Sequence, residues 1–202
     1  MPLWLASAPL VLASKSKARR ALLEAAGLKV DIEPADIDER AVEAHAGKIG
    51  PADAAKLLAR EKARTVAARK PGRFVLGADQ TLSLGERRFS KSADRSGARV
   101  QLAALRGKTH VLNSAAAVAR DGNILFEHVD AARLTMRPFS DSFLESYLDH
   151  IGSAAFASVG GYQLEGAGIQ LFEKVEGDHS TILGLPLLPL LAWLRELGLL
   201  AR

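Results

Sequence analysis

Residues 10–27 read LVLASKSKARRALLEAAG, and this stretch limits the fold more than any other. Leu10–Ala13 is an apolar run with the length of a buried strand, Ser14-Lys15-Ser16 is a polar turn, and Lys17–Ala26 is a helix that Gly27 ends. A strand that passes straight into a helix has to cover one sheet face with that helix. The chain is therefore expected to build an α/β fold.

The later segments keep this alternation and then break it. Lys29–Glu33 reads as a second strand, and Pro51 stands at the first position of a long Ala-rich helix that Pro71-Gly72 terminates. Arg73–Ala78 is an apolar strand ending at Asp79, and a tight excursion around Gly85 returns the chain to Lys91. Ala93–Leu105 is expected to be helical. His110–Ala119 and Ile124–Arg137 read as a hairpin joined by Arg120-Asp121-Gly122-Asn123. Ser140 is placed to cap a helix reaching Ile151, Gly160–Gly168 reads as loop, Ile169–Val175 as strand, and a last helix starts near Pro186. A hairpin after βα alternation favours a mixed sheet over an all-parallel one. With no repeat or low-complexity tract, residues 1–202 are expected to form a single domain.

Composition excludes several classes. A hydrophobic share of 48% excludes a disordered chain, and the lack of Cys excludes a disulfide scaffold and any Cys-ligated metal. The five His, at positions 45, 110, 128, 150 and 179, form no pair with zinc spacing. The apolar start Met1–Ala13 has no basic leader, and Pro9 interrupts it. Leu183–Leu194 is broken by Pro186 and Pro189, well short of the ~20 apolar residues that span a bilayer. A soluble, cytoplasmic protein without a membrane partner is expected.

Charge is more informative in its distribution than in its total. The net charge is only +4, yet residues 60–110 hold 13 Lys/Arg against 4 Asp/Glu, while residues 31–54 hold 7 acids against 2 bases. That pattern points either to an anionic ligand with a divalent cation or to solvated helix faces. Aromatic residues make up 5%, so stacking surfaces for a polynucleotide are scarce, and nucleic acid is not the expected partner.

Individual positions sharpen the choice. The turn at Ser14 opens a helix whose first N–H groups and whose Arg19 could receive an anion, or it is an ordinary Ser cap. Asp79 could bind a cation or take a proton from water, or simply form a turn. Lys62 shares a stripe with Ala55, Leu58, Ala59 and Val66, so it either snorkels at the edge of the core or meets an anion. Asp38 and Glu39 offer hard oxygen ligands or a solvated turn, and Lys91 between Ser90 and Ser92 offers another phosphate contact. Glu165 is the one carboxylate in the glycine-rich stretch Gly160–Gly166.

Taken in order, these pieces resemble the Maf family of nucleoside triphosphate pyrophosphatases. The matching stretches are LVLASKSKARRALLEAAGL (10–28), DIDER (36–40), LAREKA (58–63), VLGADQ (75–80), SKSADRSGA (90–98), GKTHVLNSAA (107–116) and GYQLEGAGIQLFEKVEGDHSTILGLPL (161–187). The resemblance implies an elongated mixed β-sheet with flanking helices and a deep cleft between two lobes, often in a homodimer. It implies cleavage of a nucleoside triphosphate between the α and β phosphates, aided by Mg²⁺ or Mn²⁺. Residue by residue, Asp79 falls on the catalytic acid, Lys62 and Lys91 on two cleft lysines, Ser14 and Arg19 in the phosphate-binding turn, and Glu39 on the acidic cleft residue; Asp79 with help from Glu39 is then expected to hold the metal.

Three positions bear on the base. Gln80 stands where many relatives have Thr, and Glu165 where many have Gln; both resemble the branch acting on 7-methyl-GTP. A carboxylate suits the donor edge of guanine, so the implied preference leans to guanine or 7-methyl-GTP. Ala18 stands where that branch carries a stacking Trp. The alternative from a different class is a non-catalytic nucleotide- or nucleic-acid-binding regulator of cell division.

Overall fold

A computed structural model describes residues 2–201; Met1 and Arg202, the two ends of the expected domain, lie outside the described residues. Among the described residues seven strands form one mixed sheet, in the spatial order Val30–Ile32, Leu10–Leu12, Val75–Leu84, Thr109–Arg120, Asn123–Met136 and Phe172–Glu176, with Arg87–Phe89 paired to Val75–Leu84. The chain divides into two compact units. The first comprises residues up to Gln80, Asn113–Asp130 and the segment from Asp178 onward; the second comprises Thr81–Leu112 and Ala131–Gly177.

In the first unit, β1 (Leu10–Leu12) is buried at every residue and pairs in parallel with β2 (Val30–Ile32) and with β3 (Val75–Leu84). Helix α1 (Lys17–Ala25) follows β1 at once, with the Ser16 side chain accepting from the Arg19 N–H at its start. Helix α2 (Glu39–Ala46) is capped by Asp38, and α3 (Pro51–Ala67) carries its proline in the first turn, as expected. β5 (Thr109–Arg120) and β6 (Asn123–Met136) are joined by Asp121-Gly122, both at positive φ, the mirror-image turn that suits the twist of a hairpin.

Alternation along the strands sorts the core into two clusters. Val11, Ala13, Val75, Ala115 and Ala117 pack with Ala55, Ala59, Ala63 and Val66 of α3. Leu10, Leu12, Leu76, Ala78, Ala116 and Val118 pack with Leu185 and with Leu187, Leu190 and Leu194 of a C-terminal helix (Leu187–Glu196). Successive side chains point to opposite sheet faces, so each strand contributes to both layers. One position sets the spacing to α3. A Cβ built on Gly77 would lie 2.1 Å from the Ala59 carbonyl oxygen and 2.6 Å from the Ala63 nitrogen. Only a glycine lets the helix backbone rest directly on the strand.

In the second unit, the end of β3 turns through Gly85 into β4 (Arg87–Phe89), pairing antiparallel with Leu82 opposite Phe89. Helices α4 (Arg95–Leu105) and α5 (Asp141–Ile151) are capped by Asp94 and Ser140, and Glu145 accepts from both Arg95 and Arg99. β7 (Phe172–Glu176) pairs antiparallel with β6, Leu134 opposite Val175. His110 is fully buried, with its Nε2 2.6 Å from the Tyr162 hydroxyl and its Nδ1 without a partner. Burial pushes the His110 pKa down to about 4.

The mixed α/β architecture expected from the sequence is present; some boundaries differ. β3 does not stop at Ala78 but runs through Asp79 to Leu84. Its second half, QTLSL, is polar at Gln80, Thr81 and Ser83 and so lacks the apolar run of the first half, yet Thr81, Leu82 and Ser83 are all buried. The acidic stretch at 38–39 is a helix start rather than a turn. Helix α2 has no buried residue, so no apolar period announces it. The strand expected at Ile169–Val175 begins later, because residues Ala167–Leu171 form a 3₁₀ turn. No helix among the described residues is long and apolar enough to cross a membrane.

Candidate active site

The site forms where β3 meets α3 and α1 in the first unit. Asp79 projects from the α3-facing side of β3, buried to 8% exposure. Lys62 lies one residue before Ala63, which touches Gly77, so the tight strand–helix approach delivers its ammonium to Asp79. Lys62 Nζ donates to Asp79 Oδ1 at 2.6 Å and lies 2.6 Å from Glu39 Oε1 at the start of α2. Of the two sequence alternatives for Lys62, meeting an anion is the one observed.

Arg19 approaches from α1 on the other sheet face. Its Nε donates to the Gly184 carbonyl at 2.8 Å, and its Nη1 donates to the Ala78 carbonyl at 2.8 Å and the Ser14 hydroxyl at 3.1 Å. These bonds fix the guanidinium plane and leave Nη2, the end of the fork, outside them. Burial lowers the Arg19 pKa, against the opposing pull of the Asp79 and Glu39 charges. Burial likewise pushes the Asp79 carboxyl above its ordinary range, outweighing the Lys62 and Arg19 cations that favour its charged form. A carboxyl moved in that direction is a better proton acceptor than a solvated one.

Gln80 follows Asp79 and therefore faces the opposite way. Its Nε2 lies within donating distance of the Ser114 hydroxyl at 2.9 Å, the Ile182 carbonyl at 3.0 Å and the Thr181 carbonyl at 3.1 Å. Two N–H groups serving three acceptors leave the carbonyl Oε1 as the uncommitted atom of this amide. The structure thus brings Ser14, Arg19, Glu39, Lys62 and Asp79 together, with Gln80 beside them and Ala18 half-buried on α1. Lys91 and Glu165 belong to the second unit, and both are exposed.

Sequence reasoning assigned no role to Gly77, Ser114 or Thr181. Gly77 carried a usable signal, since a glycine inside a strand often marks a close backbone approach. Ser114 and Thr181 carried none; each is a small polar residue just before an apolar run, and the side-chain partners that matter lie far away in the chain.

The donor set also tests the expected metal. Among the described residues no group of three or more His, Cys, Asp or Glu forms a ready-made site. Asp79 and Glu39 supply carboxylate oxygens on either side of Lys62 Nζ. Such a pair fits a hard divalent cation that brings most of its ligands with it, as water and phosphate oxygens.

Comparison with known proteins is consistent across the chain. The family model described as Maf-like protein matches residues 9–197. A nucleoside triphosphate pyrophosphatase of Bradyrhizobium diazoefficiens is 57% identical over 201 residues, covering 100% of both chains. A 7-methyl-GTP pyrophosphatase of Mesorhizobium japonicum is 56% identical over 191 residues, 94% of this chain and 96% of that one. A solved HAM1 protein from Coxiella burnetii aligns over 63% of this chain and 72% of its own, with 16% identity and a TM-score of 0.40.

Proposed function

As the chain belongs to the Maf-like protein family, we propose that it is a nucleoside triphosphate pyrophosphatase, a hydrolase that splits the α–β phosphoanhydride to release a nucleoside monophosphate and pyrophosphate. The observation that carries this reading is the convergence of the buried Asp79 and the exposed Glu39 on Lys62, with Arg19 held nearby in a fixed plane. Phosphoryl chemistry asks a protein for positioning and charge stabilisation rather than covalent steps, and these residues provide both.

Asp79 acts as the base, orienting the attacking water and accepting its proton; burial suits it to that role. Lys62 and Arg19 stabilise negative charge as it develops on the departing pyrophosphate. Lys91 adds to that stabilisation and Ser14 assists phosphate binding, both on the strength of the family resemblance. Bound with the triphosphate, Mg²⁺ or Mn²⁺ would be held by Asp79 and Glu39 and would supply charge neutralisation across phosphate oxygens. The base preference leans to guanine or 7-methyl-GTP. Its supports are the identities of Gln80 and Glu165 and the name of the Mesorhizobium relative.

The test is pyrophosphate release from GTP, 7-methyl-GTP, ATP, dTTP and UTP with Mg²⁺ or Mn²⁺, with the monophosphate identified by chromatography. Turnover fastest with the guanine nucleotides is expected. A strong preference for dTTP and UTP refutes the guanine reading alone, whereas no turnover of any nucleotide refutes the enzyme.

A further inference from the structure

The turn after Asp178 is tied to the sheet by a polar network that the proposed chemistry does not use. A short helix, α6 (His179–Ile182), is capped by Asp178, whose Oδ1 accepts from the backbone of Ser180 at 2.9 Å and of Thr181 at 3.4 Å. The Thr181 hydroxyl donates to Asp130 Oδ2 on β6 at 2.9 Å. The Thr181 carbonyl accepts from the Ser114 hydroxyl on β5 at 2.7 Å, and both oxygens also lie within reach of Gln80 Nε2. Two residues after α6, the Gly184 carbonyl receives the Arg19 Nε–H at 2.8 Å.

This arrangement has direction. Ser114 and Thr181 are completely buried, so their polar atoms are expensive to leave unpaired and the bonds are held. Gly184 sits at φ 94, a conformation that favours glycine, and a Cβ there would lie 3.3 Å from both Arg19 Nε and Nη2. The backbone oxygen that aims the guanidinium is therefore placed by a turn, and that turn is anchored on two strands by the Ser114 and Thr181 hydroxyls.

We propose that Ser114 and Thr181 are positioning residues for phosphate recognition: by anchoring the Asp178–Gly184 turn they set the plane of Arg19, so that its Nη2 end meets the pyrophosphate part of the substrate. The proposal rests on the reading of Arg19 as a phosphate contact. Neither hydroxyl touches the reacting atoms, so the expected signature is in anion affinity rather than in the chemical step.

The experiment measures the Kd of inorganic pyrophosphate with Mg²⁺ by calorimetry, and kcat and KM for the best substrate of the nucleotide panel. The variants are Ser114→Ala, Thr181→Val, Thr181→Ser, Arg19→Lys and the Ser114→Ala/Arg19→Lys pair. Ser114→Ala and Thr181→Val are each expected to weaken pyrophosphate binding and raise KM about tenfold, with kcat changed less than about threefold. Thr181→Ser, which keeps the hydroxyl, is expected to bind as wild type. In the Arg19→Lys background, Ser114→Ala is expected to add less than about twofold, since its effect passes through the missing guanidinium. Wild-type affinity in Ser114→Ala and Thr181→Val beside a weakened Arg19→Lys overturns the positioning role and leaves the Arg19 reading intact. Fully additive losses in the pair overturn it as well. Wild-type affinity in Arg19→Lys refutes the phosphate role of Arg19 and takes this proposal with it. If Ser114→Ala does not fold, the Thr181→Val and Thr181→Ser comparison decides alone.

Discussion

Adding one methyl group at Gly77 tests whether the spacing of strand and helix creates the site. In Gly77→Ala the new Cβ would meet the Ala59 oxygen at 2.1 Å and the Ala63 nitrogen at 2.6 Å, both backbone atoms that cannot rotate away. An ordinary carbon–oxygen contact needs about 3.3 Å, so α3 must retreat from β3 by about 1 Å. Lys62 retreats with it, from a bond to Asp79 that is now 2.6 Å long. Misplacement of about 1 Å at a reacting centre costs on the order of 100-fold in rate, and overpacking costs about 1–3 kcal/mol of stability. Steady-state pyrophosphate release and urea unfolding of the same preparation measure the two effects. Ala63→Gly in that background removes the 3.0 Å contact with the Ala63 Cβ but neither backbone clash, so it is not expected to restore activity. A Gly77→Ala protein with more than about a third of wild-type activity and an unchanged unfolding midpoint would show the reasoning about this close approach to be wrong.

Other expectations are as direct. Asp79→Asn keeps the shape but removes the base and leaves Lys62 with Glu39 alone, so turnover is expected to fall at least about 100-fold; near wild-type pyrophosphate release at equal metal would remove Asp79 from that role. Lys62→Met leaves the buried Asp79 carboxylate without its nearest cation and is expected to cost about 3 kcal/mol of stability at pH 7, read by urea unfolding. The folded pKa of His110 is depressed to about 4 from 6.5, so its contribution is present above pH 6.5 and is lost as pH falls toward 4. Wild-type stability should therefore drop by about 3 kcal/mol across that window from this group, and His110→Phe should drop less; equal pH profiles would contradict the assignment. Gly122→Ala, at φ 81 in the hairpin turn, is expected to cost about 1 kcal/mol with activity intact, checked by thermal unfolding and turnover.

Much of the architecture was legible because it rests on local pattern. The run from Leu10 to Gly27 announced strand, turn and helix, and Pro51 with Pro71-Gly72 bracketed α3 closely. Helix α2 was hidden because it buries nothing, and α6 because four residues carry no period. Within the site, Lys62 stood out as a cation on an apolar stripe, and Asp79 as an acid in an apolar strand. Ser114 and Thr181 could not stand out. Their bonds to each other and to Gln80 join segments 34 to 101 residues apart, and nothing in a short window records such a partner.

The parity of β3 has a consequence for how this chain can change. Gly77 and Asp79 look toward α3, while Ala78 and Gln80 look toward the Leu185 side of the sheet. Deleting Ala78 would swing Asp79 away from Lys62 and turn Gln80 toward α3, exchanging the two layers in a single step. Between Val75 and Leu84 the strand thus behaves as a reading frame: it can accept new letters, but not a change in their number. The turn at Gly85-Glu86, beyond the last paired residue, is where this chain can gain or lose length without shifting that frame.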